Sequence, residues 1–420
     1  MNIEQWLAHI EGQHPQNIAL GLERVREVAT RMQLGQPAAH TIVVGGTNGK
    51  GSTVAFIEAI GRAAGYRVGT YTSPHLLRYN ERVRIDGAEA DDAGLVEAFE
   101  AVEAARGDTP LTYFEYGTLA ALWLFQREGL DLAVLEVGLG GRLDAVNIVD
   151  ADVAVITTVD IDHRDWLGDD REAIGMEKAG IIRGWKPVVL GEIDPPSSVL
   201  RRAYLVGANA IRFGSDYFAE PIDETSWRWR DVSTTLELPQ PQLWAPVQRA
   251  NAAAAIAALS ASELVIPQAA WAEGIASATL AGRLQAFERD GVEILVDVGH
   301  NPQAARELAA ALAARPASSR TLAVYAALVD KDVHGVVQAL QPRVDQWLLA
   351  GLDGEGSRGQ SAQALQARLQ DTAAAVAPVH DSVGQALQQA LEQARAGDRV
   401  LVFGSFHTVA AALHVLDTTR

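Results

Sequence analysis

The stretch that most constrains this chain is Gly-Gly-Thr-Asn-Gly-Lys-Gly-Ser-Thr at residues 45–53. It follows the apolar run 41–44 and precedes residues 54–60, whose apolar spacing predicts a helix. A strand, a glycine-rich loop and a helix in this order predict a phosphate-binding loop, because glycine lets several backbone N–H groups converge on one anion. The helix N-terminus adds a partial positive charge, and Lys50 supplies a full one.

The spacing within this loop differs from the usual Walker pattern. That pattern would place a glycine at position 44 and a hydroxyl at position 51, whereas this chain has Val44 and Gly51. We therefore expect Ser52 or Thr53 to supply the hydroxyl near a magnesium ion. The alternative is a glycine-rich turn that binds no ligand.

Composition is typical of a soluble globular protein and excludes several kinds of site. With 420 residues the chain is long for a single core, so we expect two domains. The formal net charge of −18 argues against nucleic-acid and anionic-membrane partners, since both carry negative charge themselves. It leaves room for a small anionic substrate held by a local basic site. Cysteine is absent, which excludes disulfide bonds and thiolate metal sites.

The chain shows no targeting pattern. Residues 1–6 have no basic region followed by an apolar core, so no signal peptide is expected. No apolar run approaches the roughly 20 residues that span a bilayer. We therefore expect a cytoplasmic protein.

Apolar, β-rich runs alternate with helical patterns through both halves of the chain. Continuous apolar runs of this kind are typical of strands buried on both faces, as in a parallel sheet covered by helices. The alternation predicts α/β architecture. The predicted strands are 41–45, 67–72, 132–137, 152–158 and 187–190 in the first part and 293–298, 321–326, 346–350 and 399–403 in the second.

Residues 212–246 interrupt this alternation. The alternating polarity, the tryptophans at 227, 229 and 244 and the prolines at 239, 241 and 246 predict short antiparallel strands and turns there. The alanine-rich stretch 251–261 is predicted to be a packed helix rather than a flexible linker, because its larger apolar residues keep helical spacing. The domain boundary is predicted within 287–292, just before a fresh strand. This gives an N-terminal domain of residues 1–288 and a C-terminal domain of residues 289–420.

Polar residues stand where strands of the first sheet should end, and ligands of open α/β sheets bind outside those carboxyl ends. Ser73 follows one predicted strand, Glu136 lies near the end of another, and His163 lies just beyond a third. A hydroxyl, a carboxylate and an imidazole converging there would suit a magnesium ion that bridges ATP phosphates, although histidine is an unusual ligand for this ion. Taken singly, Ser73 could be a turn residue and His163 a loop cap. Glu136 could instead pair with Arg142.

Two further charged residues have ordinary surface interpretations. Lys178 stands on a helical segment that ends at glycine, where a solvated lysine is the usual expectation. Arg283 lies just before the predicted boundary. It could reach a nucleotide held between the domains, or it could be a surface arginine.

The second domain also places polar residues at the end of a strand. Asn301 is predicted to be a helix N-cap, with Pro302 at the first helical position. Capping does not account for Asp297 and His300. These two residues indicate a site that faces the first domain.

A series of motifs resembles the folylpolyglutamate synthase family, which is related to the Mur ligases. The motifs occur in order along nearly the whole chain, and as a set they are highly specific. They lie at residues 46–52, 73–75, 79–82, 111–116, 135–147, 162–163, 177–181, 282–283, 297–302 and 404–409.

The resemblance implies a fold, two cofactors and a set of site residues. The fold is an N-terminal P-loop ATPase domain and a smaller Rossmann-like C-terminal α/β domain, with the active site in the cleft between them. The cofactors are ATP and magnesium. Phosphate contacts would come from Asn48, Gly49, Lys50, Gly51 and Ser52, and further nucleotide contacts from Asn251, Arg283 and Asp297. The magnesium ligands would be Ser73, Glu136 and His163, with Lys178, which is carboxylated in relatives, binding a second magnesium. The dihydropteroate pocket would comprise Ile18, Ala19, Leu20, Thr112, Tyr113, Phe114, Glu115, Leu143, Asp144 and Ala145.

The implied reaction is ATP-driven amide formation through an acyl phosphate. L-Glutamate would be added to 7,8-dihydropteroate, giving dihydrofolate, and to tetrahydrofolate and its polyglutamates. Lys50 and magnesium would offset the charge on the transferring phosphoryl group. His300 and Ser405 are candidates for positioning the glutamate, and a monomer is the usual family state. The alternatives are a monofunctional folylpolyglutamate synthase without dihydrofolate synthase activity and, from another class, a P-loop kinase or switch.

Overall fold

The computed structural model describes residues 1–14, 19–354 and 356–417. These residues form two compact units. Unit 1 comprises Met1–Gln242 and Gln248–Thr279, and unit 2 comprises Leu243–Val247 and Leu280–Arg420. Within the described ranges, none of the helices combines the length and the apolar character needed to cross a membrane.

Unit 1 alternates strands and helices along its first half, as an α/β fold requires. Its helices are α1 Ile3–Glu11, α2 Glu23–Arg31, α3 Lys50–Ala63, α4 Asp92–Arg106, α5 Tyr113–Glu128, α6 Arg164–Leu167, α7 Arg171–Lys178, α8 Ser197–Leu205, α9 Val247–Ser260 and α10 Gln268–Ser277. Its strands are β1 Ala38–Gly45, β2 Val68–Tyr71, β3 Val83–Ile85, β4 Ala88–Glu89, β5 Leu130–Glu136, β6 Val153–Ile156, β7 Pro187–Leu190, β8 Asn209–Arg212, β9 Phe218–Pro221, β10 Ser226–Arg230 and β11 Thr235–Pro239.

The larger sheet of unit 1 brings the predicted site strands side by side. Its order is β4-β3-β2-β5-β1-β6-β7-β8, with parallel pairing from β2 to β8. β1 pairs with β5 so that Val44 lies opposite Glu136, and with β6 so that Gly45 lies opposite Ile156. The glycine-rich loop, Glu136 and the residues that follow β6 therefore leave the sheet at the same edge. The parallel pairing confirms the predicted α/β class.

A small antiparallel sheet forms where the alternation of the sequence breaks. Strands β9, β10 and β11 pair in the order β11-β10-β9, as residues 212–246 predict. Trp227 and Trp229 point to the covered face of β10 and are fully buried. Trp229 donates from Nε1 to the carbonyl of Ala253 in α9, at 3.1 Å. This contact fastens the small sheet to the predicted alanine-rich helix.

Unit 2 is a second α/β body. Its strands are β12 Gln285–Arg289, β13 Val292–Asp297, β14 Thr321–Tyr325, β15 Gln346–Ala350, β16 Val379–His380 and β17 Arg399–Phe403. They form one sheet in the order β12-β13-β17-β14-β15-β16, and only β12 pairs antiparallel. Its helices are α11 Pro302–Ala314, α12 Val333–Leu340, α13 Ala362–Ala367, α14 Val383–Gln393 and α15 Phe406–Asp417.

The two units divide earlier along the chain than the predicted boundary after residue 288. The division falls between Thr279 and Leu280. β12 (Gln285–Arg289) pairs with β13, and this edge strand belongs to the second sheet. Its residues alternate between exposed and half-buried positions, so it lacks the continuous apolar run that marks the other strands.

Candidate active site

The glycine-rich loop joins β1 to α3, and Gly49 is the N-cap of that helix. Gly46 and Gly49 have φ angles of 146° and 88°, values that side-chain-bearing residues rarely adopt. A β-carbon at Gly46 would also lie 1.9 Å from Thr157 Oγ1. Glycine is therefore required here both for the backbone conformation and for the close approach of a neighbouring residue.

The residues that follow β6 brace the loop through several hydrogen bonds. The Thr47 N–H donates to the Thr158 carbonyl (2.7 Å), and the Thr47 hydroxyl donates to the Asp160 carbonyl (3.0 Å). The Asn48 N–H donates to Thr158 Oγ1 (3.1 Å), and Thr157 Oγ1 donates to the Asn48 carbonyl (2.6 Å). Our sequence reasoning missed these residues. Two adjacent threonines directly after an apolar strand were the only available signal.

Lys50 lies over the loop and close to a carboxylate. Its Nζ donates to the carbonyls of Gly46 (3.2 Å) and Thr47 (3.3 Å), and it lies 4.0 Å from Glu136 Oε1. Glu136 is buried, and its Oε2 accepts a hydrogen bond from the backbone N–H of Ser73 at 3.3 Å. Lys50, Glu136 and Ser73 are thus brought together at the end of the sheet.

The interpretation of Glu136 as a partner of Arg142 is wrong. Arg142 donates from Nη2 to Glu177 Oε1 at 2.9 Å, in a half-exposed ion pair. Arg142 lies beyond the glycines that follow β5, and those residues turn it toward α7. Glu136 stays at the end of its strand, beside Lys50.

Ser52, Thr53 and His163 are the remaining candidate metal ligands, and their hydrogen bonds differ. Thr53 Oγ1 donates to the Gly49 carbonyl at 3.0 Å, which leaves Ser52 as the better hydroxyl ligand of the two. His163 precedes α6 with a φ of 52°, and its side chain makes no capping hydrogen bond to that helix. No three His, Asp or Glu side chains form a metal-binding cluster within the described ranges. A carboxylate and hydroxyl groups beside a phosphate loop nevertheless suit magnesium, which binds through few protein oxygens and keeps several waters.

Lys178 is buried, so its interpretation as a surface lysine is wrong. It is the last residue of α7 and only 4% exposed. Desolvation lowers the pKa of Lys178 to about 7, and the nearby charge of Lys50 lowers it further, whereas Asp162 and Asp144 oppose the shift. The local sequence could not reveal this burial, because the C-terminal end of α7 packs against the loop at Gly141 and Arg142, which lies more than 30 residues earlier in the chain. Near neutral pH, a large share of this amine carries no charge.

The start of α5 is organised by two of the predicted pocket residues. Thr112 and Glu115 form a capping box: the Glu115 N–H donates to Thr112 Oγ1, and the Thr112 N–H donates to Glu115 Oε2. Arg24 donates from Nη2 to Glu115 Oε1 (2.9 Å) and to the Ala19 carbonyl (2.9 Å). Arg24, which the sequence reasoning missed, therefore links two of the predicted pocket stretches.

A third predicted stretch joins the first two through the backbone. The Gly21 N–H donates to the Leu143 carbonyl at 3.4 Å, next to Asp144 and Ala145. Leu20 and Leu143 are both half-buried. Ile18 was predicted to belong to this pocket, and it lies outside the described residues.

Two aromatic side chains at the start of α5 line the same region. The Phe114 ring packs against Tyr71, with centroids 5.8 Å apart, and lies 2.7 Å from where a β-carbon on Gly138 would be. The Tyr113 ring lies 5.4 Å from the guanidinium of Arg82. Both side chains are only half-buried, so they offer an aromatic surface to a flat ligand.

Asp144 is a buried carboxylate held by backbone groups. Its Oδ2 accepts from the Leu139 N–H (2.8 Å), and its Oδ1 accepts from the Val146 N–H (3.0 Å). Desolvation raises the pKa of Asp144 to about 7, although these hydrogen bonds and the charge of Lys50 favour the ionised form. The group can therefore be protonated or ionised near neutral pH.

On α9, Asn251 faces the phosphate loop. Its Oδ1 lies 2.5 Å from where a β-carbon on Gly49 would be, and its Nδ2 donates to Gln248 Oε1 at 2.9 Å. Of the predicted nucleotide-binding residues outside the loop, Asn251 is the one that lies in unit 1.

In unit 2, Asp297 organises the turn that carries Arg283. Its Oδ2 accepts from the Leu284 N–H (2.9 Å), and its Oδ1 accepts from the Gly299 N–H (2.7 Å). Desolvation raises the pKa of Asp297, and the charge of Arg283 opposes the shift. The Arg283 guanidinium lies 5.4 Å from the centroid of the Phe406 ring.

Two polar residues of unit 2 cap helices. Asn301 Oδ1 accepts from the Ala304 N–H at 2.9 Å, and Pro302 occupies the first turn of α11, which confirms the predicted cap. Ser405 Oγ accepts from the Thr408 N–H at 3.0 Å, at the start of α15. His300 Nδ1 lies 2.9 Å from the Val298 carbonyl. The capping contact of Ser405 was missed because the sequence reasoning assigned that residue to a ligand.

Comparison with known proteins gives a consistent result. Family models match residues 44–259 (Mur ligase middle domain) and residues 282–406 (Mur ligase, glutamate ligase domain). The chain is 48% identical over 419 residues to the dihydrofolate synthase/folylpolyglutamate synthase of Escherichia coli, an alignment that covers 100% of this chain and 96% of that protein. It is 42% identical over 427 residues to the protein of the same name from Haemophilus influenzae, covering 97% of this chain and 96% of the relative.

Two solved structures extend this likeness to the fold. E. coli FolC in complex with DHPP and ADP is matched with a TM-score of 0.94 and 47% identity, covering 100% of this chain and 99% of that one. A bifunctional folylpolyglutamate synthase/dihydrofolate synthase with Mn, AMPPNP and L-glutamate bound is matched with a TM-score of 0.92 and 46% identity, covering 99% and 98%. The chain belongs to the dihydrofolate synthase/folylpolyglutamate synthase family of the Mur ligase superfamily.

Proposed function

We propose that this protein is an ATP-dependent ligase that adds L-glutamate to 7,8-dihydropteroate, giving dihydrofolate, and to tetrahydrofolate and its polyglutamates. The observation that carries the proposal is the phosphate loop with Lys50, 4.0 Å from Glu136. This arrangement occurs in a chain that is 48% identical over its full length to an E. coli enzyme named for both activities.

The proposed reaction has two steps. The substrate carboxylate attacks the γ-phosphorus of ATP, an O–P bond forms, and ADP leaves. The glutamate amine then attacks the acyl carbon, a C–N bond forms, the C–O bond to phosphate breaks, and the amine releases a proton. Lys50 and the N–H groups at the start of α3 are suited to stabilise the negative charge of the transferring phosphoryl group.

Magnesium fits the oxygen groups near Lys50. We assign Ser52, Ser73 and Glu136 as the residues that would hold it, with His163 as a further ligand. The ion would neutralise phosphate charge when bound. Ser73 and Glu136 are already joined by a hydrogen bond of 3.3 Å, which supports their acting on the same ion.

Lys178 is proposed to be carboxylated and, in that form, to bind a second magnesium. Only a neutral amine attacks carbon dioxide, and burial with a pKa near 7 provides that form. The amine nitrogen bonds to the carbon of CO₂ and releases a proton, so a cation becomes an anion. A carbamate resonance in ¹³C NMR after incubation with ¹³C-bicarbonate, absent from Lys178→Met, is the expected result. Equal spectra for the two proteins would contradict the assignment.

The pterin is proposed to bind the half-buried aromatic surface of Tyr113 and Phe114, beside Asp144. Thr112, Glu115, Leu143, Ala145, Ala19, Leu20 and Ile18 complete the proposed pocket. The links from Arg24 to Glu115 and Ala19, at 2.9 Å each, support this grouping for the described members. A buried carboxylate such as Asp144 is suited to hydrogen-bond a pterin ring.

Further nucleotide contacts are assigned to Asn251, Arg283 and Asp297, and positioning of glutamate to His300 and Ser405. The assignment of Asn251 is supported by its position, since its Oδ1 lies 2.5 Å from where a β-carbon on Gly49 would be. We expect Asp297 to contribute to nucleotide binding indirectly, by holding the turn that carries Arg283. The Ser405 oxygen already accepts from the Thr408 N–H, so a contact with glutamate would use its remaining hydrogen-bonding capacity.

We also propose that the protein acts as a monomer in the cytoplasm. A strongly acidic chain without a membrane-crossing helix among its described residues is compatible with this location. Sedimentation equilibrium tests the monomer directly. A mass near 44.9 kDa is expected, and twice that value would contradict it.

Isotope transfer tests the proposed chemistry. Dihydropteroate labelled with ¹⁸O in its carboxylate should pass one labelled oxygen to the released phosphate, because that oxygen bridges carbon and phosphorus in the acyl phosphate. The product should have the mass of dihydrofolate. Phosphate without the label would exclude the acyl-phosphate route. Labelled phosphate with dihydropteroate would exclude the monofunctional alternative.

A further inference from the structure

Both backbone polar groups of Val159 are held by one ion pair. The Val159 N–H donates to Glu192 Oε1 at 3.0 Å, and the Val159 carbonyl accepts from Arg171 Nε at 2.7 Å. Arg171 Nη2 donates to Glu192 Oε2 at 2.7 Å and to the Asp194 carbonyl at 2.6 Å. The carboxylate and the guanidinium thus close around a single residue of the chain. We call Arg171 and Glu192 the Val159 clamp.

The clamped residue lies between Thr158 and Asp160, two of the residues that brace the phosphate loop. Thr158 accepts from the Thr47 N–H (2.7 Å) and, through Oγ1, from the Asn48 N–H (3.1 Å). Asp160 exchanges two hydrogen bonds of 3.0 Å with the Thr47 side chain. Holding the N–H and the carbonyl of Val159 fixes the peptide planes on both of its sides, so the clamp restrains the positions of these contacts.

The same clamp also restrains the helix that carries Lys178. Arg171 is the first residue of α7, and Lys178 is its last. Glu192 and Asp194 belong to the segment after β7, so the clamp joins three segments of the unit. The Arg171 side chain is 38% exposed, and ion pairs that exposed usually contribute little to folding by their charge alone. This pair differs from an ordinary surface ion pair because it also hydrogen-bonds the N–H and the carbonyl of Val159.

We propose that Arg171 and Glu192 are positioning residues for nucleotide binding, acting through Val159 on the phosphate loop. This inference rests on the proposed function in that the loop must bind ATP. The two residues need not touch the nucleotide. Loss of the clamp removes the restraint on Val159, so the contacts of Thr158 and Asp160 with the loop shift and the loop N–H groups lose the fixed geometry that an anion site requires.

The test compares clamp variants with a matched ion pair elsewhere in unit 1. The variants are Arg171→Ala, Glu192→Ala and Arg171→Lys. The control is Arg230→Ala, which removes an Arg–Glu pair of the small antiparallel sheet, with an N–O distance of 2.7 Å to Glu220. ADP binding is measured by titration calorimetry, thermal unfolding is followed without ligand, and steady-state KM values are determined for ATP and dihydropteroate.

The clamp variants are expected to bind ADP at least tenfold more weakly and to show a similar rise in KM for ATP. Their KM for dihydropteroate should stay within twofold of the wild-type value, since the pterin residues are on other elements. Arg230→Ala should bind ADP as the wild type does. A purely structural clamp would lower the unfolding temperature and leave the ADP affinity of the folded protein unchanged, which would overturn the inference.

Arg171→Lys keeps the test decisive should the alanine variants fail to fold. It retains a positive charge beside Glu192 but cannot donate to Val159 and Glu192 through one planar fork. ADP affinity within twofold of wild type in this variant would overturn the positioning role while leaving the proposed function intact. A wild-type protein that bound no ADP would overturn the proposed function and the positioning role with it.

Discussion

Gly49 packs directly against Asn251: a β-carbon on residue 49 would lie 2.5 Å from Asn251 Oδ1. Gly49 is the N-cap of α3, and Asn251 lies on α9, so this contact joins the phosphate loop to a helix distant in sequence. The hydrogen bond from Asn251 Nδ2 to Gln248 fixes the orientation of the amide. Glycine at this position therefore allows the left-handed backbone conformation and also leaves room for Asn251, a predicted nucleotide-binding residue.

Gly49→Ala should weaken ADP binding at least tenfold, because the added methyl group must displace Asn251. Gly65→Ala is a matched control: the φ angles are 88° and 87°, but nothing lies within 4 Å of a β-carbon on Gly65. Each variant should lose about 1 kcal/mol of stability to the left-handed backbone. Calorimetric titration with ADP distinguishes the two variants, because only Gly49→Ala should bind ADP more weakly than the wild type. Equal ADP affinities of the two variants would contradict the role assigned to the Gly49–Asn251 contact.

Lys50→Ala should abolish ATP-dependent phosphate release, because it removes the ammonium group that contacts the Gly46 and Thr47 carbonyls and lies 4.0 Å from Glu136. Release is measured with both co-substrates present. Lys186→Ala is the control, since Lys186 pairs with Asp152 on the exposed surface of the same unit. Wild-type turnover in Lys50→Ala would exclude the assigned role.

Asp144 should make the stability of the protein fall as the pH rises toward neutrality. Its pKa is raised from 3.8 to about 7 in the folded protein. Between these values the folded state binds more protons than the unfolded state, so the free energy of unfolding decreases, by at most about 1.4 kcal/mol per pH unit. Above pH 7 this contribution is lost.

Urea denaturation of wild type and Asp144→Asn across this pH range measures the effect. The asparagine variant lacks the titrating group, so the difference in unfolding free energy between the two proteins should change in the variant's favour as the pH rises from 4 to 7. A difference that stays constant with pH would show that Asp144 has an ordinary pKa.

Arg24→Ala should destabilise the protein by about 3 kcal/mol, because it leaves the buried carboxylate of Glu115 without its cationic partner. The side chains are 28% and 4% exposed. Arg67→Ala should cost less than about 1 kcal/mol, since its pair with Glu128 is 49% and 42% exposed. Adding Glu115→Gln to Arg24→Ala should restore part of the loss. Equal denaturation midpoints for Arg24→Ala and Arg67→Ala would contradict this account.

Local patterns predicted the parts of the site that are contiguous in sequence. The strand, glycine loop and helix around Lys50 were found because each has its own short-range signal. The proximity of Ser73 and Glu136 could be predicted because polar residues at strand ends are visible without knowing the strand order.

Contacts between distant segments were not predictable in this way. The bonds from Thr158 to the loop depend on β6 lying beside β1, and the burial of Lys178 depends on how α7 packs. The Val159 clamp joins residues 159, 171 and 192, and no spacing marks such a set. Strand β12 was missed because an edge strand with half-exposed residues lacks a continuous apolar run.

Phosphate release tests the proposed ligase activity directly. It is measured with ATP, magnesium, glutamate and either dihydropteroate or tetrahydrofolate, each omitted in turn. We expect release with both pterins and only when glutamate is present. If phosphate is released with tetrahydrofolate and glutamate but not with dihydropteroate and glutamate, the protein is a monofunctional folylpolyglutamate synthase. Release with neither pterin, or release that does not depend on glutamate, would contradict the ligase.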